Sequence, residues 1–140
     1  MLVAGEFYDN PKLYLEQIEK LGIKDQLILR TEFIRDNEVK YYLCAADVVV
    51  QPYRSATQSG VTPLAYHFEK PMIVTNVGGL QALVPDGKVG LIAEPTPHSL
   101  ATKIEEFYEK GEAYFLPNLV EEKKKYTWKN LANAILELSF

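Results

Sequence analysis

The sequence predicts an α/β fold, a Rossmann-like parallel sheet with flanking helices, and three observations lead there. Short apolar or β-branched runs alternate with amphipathic helical patterns along the chain. One run, Val48-Val49-Val50, is apolar without alternation, as a strand covered on both faces should be. Small and polar residues collect after the strand ends, chiefly between Tyr53 and Gly79. Strands alternating with helices give a parallel sheet with right-handed crossovers, and ligands bind such sheets at the carboxyl ends of their strands.

The elements follow in order. Leu2-Val3-Ala4 reads as a strand ended by Gly5. Residues 11–21 carry Leu13, Leu15, Ile18 and Leu21 among charged neighbours, a helix with Asn10 as N-cap and Gly22 as its stop. Leu27-Ile28-Leu29 is the next strand, and Asp36 caps a helix over 37–46. The Val48–Val50 strand leads through a polar loop to a helix over 63–68. Met72 to Thr75 is a strand, Leu80 to Val84 a short helix, and Pro85-Asp86-Gly87 a turn before the last strand, Gly90 to Ala93. Helices then fill the remainder from about residue 99, over 99–110, 117–126 and 127–138, with Trp128 as a packing anchor. No linker or internal repeat divides the 140 residues, which read as one domain.

Composition narrows the function. A net charge of −4 argues against a nucleic-acid partner, and Lys123-Lys124-Lys125 follows Glu121-Glu122 as a solvated helix face would. The single cysteine, Cys44, cannot form an internal disulfide, reads as a small buried residue, and fits a reducing, cytoplasmic setting. No apolar run approaches the roughly 18 residues of a membrane span, and no signal peptide is evident. Two histidines and one cysteine, far apart, give no metal-ligand spacing, and no phosphate-binding lysine loop or dinucleotide fingerprint occurs.

The best site candidate is Ser59-Gly60-Val61, where Ser59 can cap the helix and the small residues let an anion approach backbone N–H groups; a plain N-cap and tight turn would use the same residues. Arg54, on the same loop, can pair with a phosphate or sit on the surface. Gly78-Gly79 allow either a close ligand approach or a simple turn, and Gly5-Glu6 end the first strand at the same edge. His67 reads as a packed histidine between Tyr66 and Phe68, His98 as exposed, and Asp47 as a backbone cap. No residue presents itself as the catalytic acid or base.

As a set, these segments resemble the C-terminal, donor-binding half of a GT-B glycosyltransferase of the retaining family 4 type. The resemblance covers nearly the whole chain. Ala45-Ala46-Asp47-Val48-Val49-Val50-Gln51-Pro52-Tyr53 is similar to the family's A-A-D-v-v-v-x-P-S segment. Lys70 to Leu80 is very similar to its K-P-V-I-A-T-D-V-G-G, and Asp86 to Ile92 to its D-G-x-x-G-L-L. The resemblance implies a domain that binds a nucleotide-diphosphate sugar, the co-substrate, with no other cofactor and no metal. It implies donor contacts from Gln58, Ser59, Gly60, Val61, Arg54, Leu64, Gly78 and Gly79, with Gly5, Phe33 and Ile34 at neighbouring loops, Phe33-Ile34 near the base.

Two departures stand out. Many members carry two glutamates flanking the donor helix; here those positions fall near Ala56 and Leu64, and Gln58 or Ser59 would take over part of their hydrogen bonding. The family's N-terminal acceptor domain and the first strand of the donor domain are missing, so the chain looks like a fragment, inactive alone, of a polysaccharide or glycoconjugate biosynthetic enzyme. Any peripheral membrane contact falls to the missing domain. The absent strand would lie between the Leu2–Ala4 and Val48–Val50 strands, and closure of the sheet over the gap, or filling by a partner, is expected. A sugar-nucleotide 2-epimerase of the same fold and a non-catalytic Rossmann-like interaction module are the alternatives.

Overall fold

Local chemistry sets the first helix. The Asn10 side chain accepts from Lys12 N–H at 3.0 Å, Pro11 opens the helix, and Gly22 closes it in the left-handed conformation at φ 65°. The computed structural model describes residues 1–138. Its elements are β1 (Leu2–Ala4), α1 (Pro11–Leu21), a 3₁₀ turn (Lys24–Gln26), β2 (Ile28–Arg30), α2 (Asp36–Ala45), β3 (Val49–Gln51), α3 (Val61–His67), β4 (Met72–Thr75), α4 (Leu80–Leu83), β5 (Gly90–Ala93), α5 (Pro97–Lys110), α6 (Glu112–Lys123), a 3₁₀ turn (Lys124–Tyr126) and α7 (Trp128–Glu137).

The chain divides into two compact units, Met1–Tyr42 and the residues from Leu43 onward, where the sequence reads as one domain. In the first, β1 and β2 pair in parallel, Leu2 opposite Ile28, and Gly5 N–H extends the ladder to Arg30 O at 2.9 Å. None of the described residues of this unit is fully buried. In the second, β3, β4 and β5 form a parallel sheet in that order, with Val49 opposite Met72 and Met72 opposite Gly90. The ladders β1–β2 and β3–β4–β5 are separate sheets. Among the described residues β1 pairs only with β2 and β3 only with β4, so no ladder joins β1 to β3, where closure of the sheet or filling by a partner is expected from sequence.

The core belongs to the second unit. Met72, Ile73 and Val74 of β4 pack with Leu91, Leu80, Val84, Phe107, Phe115 and Leu119, all essentially without solvent exposure. Phe107 and Phe115 stack at 5.6 Å across the α5–α6 corner. No described helix is long and apolar enough to cross a membrane.

Several expectations need correction. Cys44 is exposed, because its neighbour Leu43 takes the inward position on α2. Trp128 starts α7 but stays 84% exposed and anchors nothing. Asp47 does not cap backbone; its Oδ2 accepts from the Tyr108 hydroxyl at 3.3 Å. His67 is exposed; its ring meets Phe68 at nearly a right angle at 4.9 Å, and its carbonyl accepts from Lys123 Nζ at 3.3 Å. The Val48–Val50 run is half-buried, consistent with a strand paired on one side. Finally, α6 begins at Glu112, so Pro117 lies inside it rather than at its start.

Candidate functional site

Three parallel strands of the second unit end at one edge, and each is followed by a loop. Gln51 leads into residues 52–60, Thr75 into 76–79, and Ala93 into 94–96. The first two loops are fastened together. The Thr75 hydroxyl donates to Tyr53 O at 2.6 Å, with Gln51 O further off at 3.4 Å. Gly79 N–H donates to Thr57 O at 3.1 Å. Gly78 has φ +53°, and a Cβ there would lie 1.7 Å from Ala56 O. Only glycine fits that conformation and that approach.

The loop then turns into α3. Ser59 Oγ accepts from Val61 N–H at 3.2 Å and lies 3.2 Å from the Tyr53 hydroxyl. The N-cap position itself falls to Gly60, which has no side-chain cap bond, so Ser59 stands one residue before the cap, facing inward, and reaches past it to the Val61 N–H. Gly60 is exposed, has an ordinary φ of −66°, and nothing stands within 4 Å of where its Cβ would be. Beneath the turn, Thr62 Oγ1 donates to Gln51 Oε1 at 3.2 Å, while Gln51 Nε2 is buried with no hydrogen-bond partner.

Of the sequence-singled residues, Arg54, Gln58, Ser59, Gly60, Val61, Leu64, Gly78 and Gly79 belong to the second unit. Ser59 and Val61 are bonded to each other, and Gly78 and Gly79 meet the loop backbone rather than open space. Arg54, Gln58 and Leu64 are exposed. Gly5, Phe33 and Ile34 belong to the first unit, where Phe33 is exposed and Gly5 is part of the β1–β2 ladder. Sequence reasoning missed Tyr53, Thr62, Thr75 and Gln51. Two of them carried a signal: Gln51 and Thr75 are polar residues ending apolar strands, and a buried polar side chain is the informative exception.

The sequence profile described as "Glycosyl transferases group 1" matches residues 1–110. The chain belongs to that family. Among curated relatives, this group 1 glycosyltransferase chain is 28% identical over 141 residues to a D-inositol 3-phosphate glycosyltransferase of Corynebacterium urealyticum, covering 96% of the chain and 32% of the relative. It is 33% identical over 126 residues to an uncharacterized glycosyltransferase of Methanocaldococcus jannaschii, covering 84% of the chain and 35% of the relative. The chain thus spans about a third of the length of the relatives it matches. Anabaena HepE, solved in complex with UDP, superimposes with a TM-score of 0.84 at 19% identity, covering 99% of this chain and 40% of that one. The α/β architecture is that of GT-B glycosyltransferase structures.

Proposed function

We propose that this chain is the donor-binding part of a retaining, family 4-type glycosyltransferase that moves a sugar from a nucleotide diphosphate to an acceptor. The carrying observation is the Ser59-Gly60-Val61 turn at the carboxyl edge of a parallel sheet, open at Gly60 and pinned from below by Thr75 and Gly78. That edge is where such sheets receive ligands. Family membership and the UDP and UDP-glucose complexes of the HepE neighbour support the same reading.

In this reading the diphosphate lies against Ser59-Gly60-Val61 with Arg54 and Gln58 at its margin. The bond between the sugar's anomeric carbon and the diphosphate breaks, the diphosphate keeps the electron pair, and the acceptor oxygen forms the new bond as its proton passes to the departing diphosphate oxygen. The protein's contribution is to stabilise charge growing on the leaving diphosphate. The acceptor site, and with it transfer, belongs to sequence outside this chain. The setting is cytoplasmic.

Gly60→Leu tests the reading. Its backbone conformation suits any residue and its surroundings are open, so the variant keeps the fold and fills the space a diphosphate would use. UDP titrated into the isotope-labelled chain should shift resonances of residues 58–61 in the wild type and none in Gly60→Leu. Equal affinity in a folded variant refutes the site.

A further inference from the structure

The described residues bury four polar side chains, Gln51, Ser59, Thr62 and Thr75. All four meet the 52–60 loop or the first turn of α3. Burying polar groups costs free energy unless they are paired, so their concentration under one loop is a structural expense with a local purpose. Two of them, Thr75 and Ser59, bond backbone of the loop and turn, and Tyr53 joins the two. Thr75, wholly buried at the end of β4, the central strand of its sheet, donates to Tyr53 O. The hydroxyl of the same Tyr53 meets Ser59 Oγ, which accepts from Val61 N–H. A relay therefore runs from the central strand of the sheet to the exposed turn at Gly60.

We propose that Thr75 is a positioning residue for the nucleotide site. Its hydroxyl sets where the loop leaves β3, and Tyr53 and Ser59 carry that setting to the Ser59-Gly60-Val61 turn. Thr75 touches no ligand; it holds the groups that do. The inference rests on the donor-binding reading.

Thr75→Val keeps the shape of the side chain and removes the donor, whereas Thr75→Ser keeps the donor. Loss of one such bond should weaken UDP binding by about tenfold in Thr75→Val, and Thr75→Ser should stay within about twofold of wild type. Amide hydrogen exchange without nucleotide supplies the readout that a general loss of stability would not move. The Gly79 and Val61 amides should exchange about tenfold faster in Thr75→Val, while Ile73 and Leu91 in the ladder keep their protection. Should Thr75→Val fail to fold, Tyr53→Phe breaks the relay outside the core, and it should speed Val61 and leave Gly79 unchanged. Wild-type UDP affinity and wild-type loop exchange in either folded variant overturn the proposal. Parallel acceleration at Ile73 also overturns it, since the role would then be purely structural. A wild-type chain that binds neither UDP nor UDP-glucose refutes the donor reading instead, and with it Thr75's role toward a nucleotide, while loop exchange still decides whether the relay exists.

Discussion

Gly78→Ala is the sharpest perturbation available at this site. The added Cβ would sit 1.7 Å from Ala56 O and 2.8 Å from Ala56 C, with Thr57 Cα at 3.4 Å. The obstructing atoms are main chain, so no rotamer change and no trimming of Ala56 relieves them. The residue must also hold φ +53°, which costs a non-glycine side chain roughly 1–2 kcal/mol. Moving packed backbone aside adds about 1–3 kcal/mol. Against this stands a gain of about 0.4–1 kcal/mol, because alanine restricts the unfolded chain. The net expectation is a loss of about 1–4.5 kcal/mol, accompanied by weaker UDP binding as the Gly79–Thr57 bond is displaced. Urea denaturation followed by circular dichroism measures the first and NMR titration the second. Gly90→Ala is the matched control: its Cβ would lie 1.9 Å from Met72 O, so stability should fall while the nucleotide loop is untouched. Stability within about 0.5 kcal/mol of wild type in Gly78→Ala, the range of an ordinary surface substitution, would refute the argument.

Two further outcomes are expected. The chain alone should release no sugar onto an acceptor from UDP-glucose, because transfer needs both substrates held together; robust transfer by the purified chain contradicts this. Tyr66 should give the fold an alkaline limit. Burial, followed by the nearby Tyr126 and Glu122, pushes its phenol well above the ordinary range, so the folded state keeps a proton that the unfolded state releases and stability falls as pH rises past about 10. Tyr66→Phe should flatten that fall. It should cost about 0.5–1.5 kcal/mol at neutral pH for the lost 2.6 Å bond to Leu83 O, and an unchanged alkaline limb in pH-dependent melts would count against it.

The sequence was most informative where boundaries are made by nearest neighbours. Asn10 and Gly22 bound α1, and β4 and β5 run over Met72–Thr75 and Gly90–Ala93 as their apolar runs suggest. The β2 and β3 strands each lie one residue later than their apolar runs, at Ile28–Arg30 and Val49–Gln51, because ladder pairing continues to Ala4 and Val74. Pro117 misled for a related reason: proline favours helix starts, yet here the preceding turn begins after Gly111 and the packing of Phe115 and Leu119 carries the helix through. The site was legible as a place but not as a mechanism of support. Ser59-Gly60 announced a helix start, whereas the bonds from Thr75 to Tyr53 and from Gly79 to Thr57 join residues about twenty apart in sequence, a pairing no local pattern contains.

The uneven distribution of burial has a thermodynamic consequence. Residues 1–42 hold an eleven-residue helix and a two-stranded ladder but none of the fully buried side chains, and elements of that size are marginal in water by themselves. Residues from Leu43 onward own the close-packed interior. Protection against amide exchange should therefore be uneven: amides of the β1–β2 ladder should exchange through local opening, whereas those of Ile73 and Leu91 in the β3–β4–β5 ladder should approach the global limit. Equal protection in the two ladders would count against this.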